Sequence, residues 1–177
     1  MILNEKTVEV KKIFDGKVIE VTHEKIQFEN GEYAMREMVY HPGGVCVVPI
    51  DDKGNVYFVK QFRYPFKTVL LEIPAGKLEK GEDHRECGIR ELKEEIGAEA
   101  EIFEYIGCIY PTVAYDTEII HMYMAKGLSF GEQHLDEDEF IDVVKIPLEK
   151  AYEMVMANEI PDAKSQTAIL KAYLLNK

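Results

Sequence analysis

The sequence predicts a layered α/β domain preceded by a small antiparallel β unit. Three observations carry this. Strand-like runs separated by turn signals fill the first third, one helical pattern sits between later strand-like runs, and two helical patterns close the chain. Val8–Phe14 reads as a strand ended by Asp15-Gly16. Lys17–Phe28 and Tyr33–His41 flank Glu29-Asn30-Gly31-Glu32, and Asn-Gly between two such runs is a strong hairpin signal. His41-Pro42-Gly43-Gly44 then breaks the pattern, which sets a boundary between a β unit at 1–40 and a main domain at 41–177.

The main domain opens with Val45–Ile50, an almost continuous apolar run expected as a buried strand, and Asp51–Asn55 turns into a second strand at Val56–Phe62. Pro74, Gly76 and Gly81 predict an irregular loop, followed by a helix over Asp83–Ile96 with Ile89, Leu92 and Ile96 as its apolar stripe. Gly97 is a natural residue just past the helix end. Gly88, inside the helix, costs about 1 kcal/mol relative to Ala, so its space is expected to serve close packing against a strand. Glu101–Tyr110 and Glu118–Ala125 read as strands, and the second has apolar residues at both parities, so both its faces should be covered. Phe140–Ile146 is a further strand closed by Pro147. Leu148–Asn158 and Asp162–Leu175 are helices, each starting just after a proline.

Composition narrows the function classes. With 177 residues, 46% hydrophobic and 31% charged, the chain has an ordinary globular balance. The three cysteines, Cys46, Cys87 and Cys108, have no CxxC spacing, which points to a reducing compartment without a disulfide framework. With no signal-like segment and no apolar run of spanning length, the expectation is a cytoplasmic protein without membrane contact. Net charge is −12, from 33 acidic and 21 basic residues, which argues against a nucleic-acid partner. An anionic small molecule would also be repelled unless a metal bridged it to the protein.

The segment Gly76–Ala98, GKLEKGEDHRECGIRELKEEIGA, carries the chemistry. Five residues separate Gly76 from Glu82, seven more lead to Arg90, and Glu91, Glu94 and Glu95 follow. On a helix these carboxylates fall together, away from the expected apolar stripe. Glu91 and Glu95 form a like-charged i,i+4 pair that costs a few tenths of a kcal/mol in an isolated helix. Acidic residues off a stripe are often only a solvated face. Here the glycine loop, Glu82 and the adjoining Arg90 turn the balance toward a hard divalent cation, which takes oxygen ligands.

This spacing resembles the Nudix box of hydrolases that split a diphosphate linked to another group. The resemblance extends over roughly residues 40–177. Val59-Lys60-Gln61-Phe62-Arg63, Leu71-Glu72-Ile73-Pro74-Ala75-Gly76 and Leu135-Asp136-Glu137-Asp138-Glu139-Phe140 make it most like the ADP-ribose pyrophosphatases of that superfamily. It implies an α/β/α sandwich with a mixed sheet, and an N-terminal sheet unit that often exchanges across a homodimer. It also implies cleavage of ADP-ribose to AMP and ribose 5-phosphate with Mg²⁺, or Mn²⁺ in its place. Carried over, Glu91 and Glu95 are the main metal ligands, with Glu94, the Ala75 carbonyl and Glu82 assisting, while Arg90 orients the carboxylates. Arg63 meets a substrate phosphate, with Arg36 as a second candidate. In the acidic loop, Glu137 is the preferred base and Glu139 the metal contact, and the two could be reversed. A nucleotide sugar as substrate, and a non-catalytic nucleotide-binding module, stay open beside this reading.

Overall fold

The computed structural model describes residues 4–135 and 139–177. The chain divides into two compact units: the first runs to Gly43 and takes in Tyr110–Ile119, and the second comprises Gly44–Ile109 and Ile120–Lys177.

The first unit is a three-stranded antiparallel sheet, β1 (Glu5–Asp15), β2 (Glu20–Phe28) and β3 (Tyr33–Tyr40), in that spatial order. The Asn-Gly hairpin is as expected, with Gly31 at a φ of 87° that favours glycine. β2 starts three residues later than its apolar pattern, because Gly16 N–H donates to the Ile19 carbonyl (3.0 Å) and spends Lys17–Ile19 on a turn. Thr22, Glu24 and Ile26 alternate on the buried face of β2. Glu24 is satisfied there by the Tyr40 hydroxyl (2.7 Å) and the Thr22 hydroxyl (2.8 Å), and the Tyr40 bond holds its carboxyl below the usual range. Segment 110–119 returns to this unit: Val39 N–H donates to Tyr115 O (2.7 Å), and Thr117 N–H donates to Val39 O (3.0 Å). This pairing takes Glu118 and Ile119 out of the strand that the sequence pattern begins there.

The second unit contains β4 (Gly44–Pro49), β5 (Asn55–Arg63), β6 (Thr68–Glu72), β7 (Ala75–Lys77), α1 (His84–Ile96), β8 (Ala98–Ile109), β9 (Ile120–Phe130), β10 (Ile141–Pro147), α2 (Leu148–Met156) and α3 (Ala163–Leu175). A mixed sheet runs β7-β4-β9-β8, with β4 parallel to β9 and its other pairings antiparallel. An antiparallel sheet runs β10-β5-β6.

Strand alternation builds two cores. Cys46, Val48, Met122 and Met124 pack with Ala168, Ile169 and Ala172 of α3. Val45, Val47, Tyr123 and Ala125 pack with Cys87, Leu92 and Ile96 of α1. The central strands are thus covered on both faces, and the layers form the expected α/β/α sandwich with a mixed sheet. No described helix is long and apolar enough to cross a membrane.

Two details bear on the site. The loop expected around Gly76 contains a short strand, β7, because Ala75 and Gly76 pair with Cys46 and Val45 of β4. β6 is a second strand that the sequence pattern did not reveal. Gly88 faces the Phe103 ring and Val45 Cγ1, each 2.9 Å from where a Cβ would sit, so its absent side chain lets α1 lie close on β4 and β8.

Candidate active site

α1 is delimited by strong local signals. The Asp83 side chain caps its start, accepting from Arg85 N–H (2.8 Å). Gly97 ends it in the left-handed conformation at φ 66°, its N–H reaching the Leu92 and Lys93 carbonyls.

At about 100° per residue, the buried arc of this helix runs through Cys87, Glu91, Glu95, Gly88, Leu92 and Ile96. This corrects the expected face. Ile89 is only half-buried, whereas Glu91 and Glu95 lie in the middle of the arc that faces the protein. An apolar-stripe rule places carboxylates outside by default, and here two of them point in.

Their surroundings explain how they are tolerated. Glu95 is 2% exposed, and its Oε2 accepts the Ala75 N–H at 3.0 Å. Glu91 lies against β7 at Gly76, where any Cβ would overlap its carboxylate. Gly76 is therefore required by the close approach of backbone to carboxylate. Burial pushes the Glu95 carboxyl up to about 8; the Ala75 N–H and Arg63 oppose the shift, while the charges of Glu91 and Glu139 add to it. Burial also raises Glu91, against the pull of Arg90 and with the added push of Glu94 and Glu139.

Arg90 manages the remaining carboxylates. Its Nε and Nη2 fork Glu82 at 2.9 and 3.1 Å, and its Nη1 donates to Glu91 (2.7 Å) and Glu94 (2.9 Å). Glu82 also accepts from Glu79 N–H (2.9 Å), and Arg90 above all drives its carboxyl down to about 2. Among the described residues, no three His, Cys, Asp or Glu side chains close around one metal-binding point. Arg90 bridges Glu82, Glu91 and Glu94 instead. The donor set nevertheless fits a hard dication. It is all oxygen and crowded with like charge, and Gly76 lets the Glu91 carboxylate lie directly against the backbone of β7.

The structure brings Ala75, Glu82, Arg90, Glu91, Glu94 and Glu95 together, with Glu139 near enough to act on both buried carboxylates. Glu137 lies outside the described residues. Gly131, Gln133 and His134 run along the C-terminal end of α1. Gly131 N–H donates to Gly97 O (2.7 Å), His134 N–H to Glu94 O (3.1 Å), and the Gln133 amide to Glu95 O. Arg63 interacts electrostatically with Glu95, while its Nε and Nη2 fork Glu72 at 2.6 and 2.7 Å. Arg36 belongs to the first unit, where it forks Glu5 at 3.0 and 2.5 Å.

Sequence reasoning missed Glu72, Lys164 and Gln133. Glu72 did carry a signal, being a lone charge in the apolar run Val69–Ile73. Lys164 and Gln133 had none, because their partners are distant in the chain.

The NUDIX domain model matches residues 40–168. The chain is 43% identical over 169 residues to the ADP-ribose pyrophosphatase of Bacillus subtilis (strain 168), covering 94% of this chain and 91% of that protein. It is 40% identical over 170 residues to the methanol dehydrogenase activator of Bacillus methanolicus, covering 95% and 92%. A crystal structure of an ADP compounds hydrolase superposes with a TM-score of 0.87 at 20% identity, covering 99% of this chain and 95% of that one.

The raised Glu95 carboxyl has a thermodynamic consequence. Between its ordinary value of 4.5 and about 8, the folded protein holds a proton that the unfolded chain has lost. Metal-free stability should therefore fall as pH rises through that window, by a few kcal/mol. Thermal unfolding in EDTA across pH 5–8 checks this; Glu95→Gln should lack that part of the slope, and an equal slope in both proteins would contradict it.

Proposed function

We propose that this chain, which belongs to the Nudix family, hydrolyses ADP-ribose at its diphosphate to AMP and ribose 5-phosphate. The carrying observation is the buried pair Glu91 and Glu95 with Glu139 beside them, an arrangement costly for anions alone and suited to a dication. The substrate half of the reading is supported by the identity with the Bacillus subtilis ADP-ribose pyrophosphatase over nearly the whole of both chains.

Nudix hydrolases use divalent cations, and a purely oxygen donor set favours Mg²⁺, with Mn²⁺ next. Glu91 and Glu95 would hold it, assisted by Glu94 and the Ala75 carbonyl. When bound, it supplies charge neutralisation on the diphosphate and lowers the pKa of water. Arg90 fixes the carboxylates in place from Glu82. Arg63 Nη1, uncommitted among the described residues, donates to a phosphate oxygen of the substrate. A carboxylate oxygen of Glu139, or of Glu137 with Glu139 then on the cation, takes the proton of the attacking water.

We place the protein in the cytoplasm, supported by its three unbridged cysteines. We also assign it a homodimer formed through residues 1–40. β1 is an edge strand exposed along all 11 residues, and Val8, Val10, Ile13 and Phe14 lie open on it. Such an edge calls for a partner. Sedimentation velocity at micromolar concentration should give a dimer, and Val10→Glu should shift it toward monomer; a native monomer would reject the assignment.

The activity test is AMP release from ADP-ribose with Mg²⁺. Glu95→Gln should lose more than the roughly 10–100-fold that removal of even an outer-shell partner costs a metal site. A nucleotide sugar turned over faster than ADP-ribose would move the substrate assignment. Binding of ADP-ribose without turnover would move the chain to the class of nucleotide-binding modules.

A further inference from the structure

Outside the carboxylate cluster, a second buried group of charges in the second unit lies where β6 meets the start of α3. Glu72 there is 1% exposed. Burying a carboxylate costs several kcal/mol unless it is paired. One cation would suffice to pair it, yet Glu72 has two. Arg63 forks both its oxygens at 2.6 and 2.7 Å, and Lys164 Nζ contacts Oε2.

Lys164 is balanced in turn by Asp162 at 3.0 Å. Asp162 is the N-cap of α3 and accepts from Ser165 N–H (3.0 Å) and from the Ser165 hydroxyl (2.5 Å). Ser165 Oγ itself accepts the Ile73 N–H (3.0 Å). The first turn of α3 therefore grips both Glu72 and the residue after it. Two residues further on, Ala75 N–H holds Glu95.

The charges alternate along this chain: Asp162, Lys164, Glu72, Arg63. Side-chain exposure runs 18%, 12%, 2% and 36% in that order, so Arg63 is the member most open to solvent. The charge of Arg63 also acts on Glu95. The Glu72 fork fixes its guanidinium plane through Nε and Nη2, and Nη1 has no partner among the described residues.

We propose that Lys164 is a positioning residue for the diphosphate substrate: by sharing the charge of Glu72, it keeps Arg63 available to a phosphate instead of consumed by its own carboxylate partner. This rests on the reading of Arg63 as a phosphate contact. Without Lys164, Glu72 has, among the described residues, Arg63 as its only counter-charge, and a phosphate must compete with a buried carboxylate for the same guanidinium.

The test is a mutant cycle on the full chain with ADP-ribose as the probe. It reads Kd by calorimetry in EDTA, and KM and kcat in Mg²⁺. Lys164→Met should raise Kd and KM about tenfold, the scale of one charge-assisted hydrogen bond, with kcat little changed. Lys164→Gln should do the same, and serves if the Met variant does not fold. Lys164→Arg, which keeps the cation, should stay within about twofold of native. Because Lys164 acts through Arg63, Lys164→Met in an Arg63→Ala background should add nothing further. An equal rise in both backgrounds would overturn the proposal, as would a lower Tm with Kd and KM unchanged. An unchanged Kd in Arg63→Ala alone would remove the phosphate contact of Arg63 itself and the proposal with it, a failure visible without any change at Lys164.

Discussion

The site is organised around the burial of the Glu95 carboxylate among like charges. Left alone, it is a liability: 2% exposed, given one N–H by Ala75, and pushed by Glu91 and Glu139. Each local feature around it follows from accommodating that group. β7 brings the Ala75 N–H to it, Gly76 omits the Cβ that would strike its neighbour Glu91, and Gly88 lets α1 lie close on β4 and β8. A fold that carries such a cost at one point is storing affinity for whatever relieves it, and a divalent cation relieves it directly.

The two arginines solve different problems. Arg90 is a clamp, spread over Glu82, Glu91 and Glu94, and its charge is fully absorbed by the carboxylates it orders. Arg63 is forked by one carboxylate whose charge a lysine also shares. The first holds the site together, and the second is the phosphate contact proposed above. The difference between them lies in the neighbours and not in the residue type.

Much of this was legible in the sequence. Turn chemistry placed the β2–β3 hairpin, apolar runs placed β4 and β5, and the helix signals placed α1, α2 and α3 to within a few residues. The box spacing alone groups Glu82, Arg90, Glu91, Glu94 and Glu95. β6 and β7 were not legible, because β7 is three residues long and exists only by pairing with β4. The face of α1 differs from the expectation for a physical reason: periodicity counts apolar side chains, while the buried arc here contains two carboxylates. The start of β9 was hidden by the pairing of 110–119 with β3, and the Glu72–Lys164 contact spans 92 positions that no local pattern connects.

The most direct test of the central claim is to count protons released when Mg²⁺ binds the metal-free protein at pH 7, by calorimetry in two buffers of different ionisation enthalpy. If Glu95 is held protonated by burial and then ligates the cation, about one proton should leave per site, and Glu95→Gln should abolish that release. Binding of Mg²⁺ with no proton released from the native protein would contradict the account.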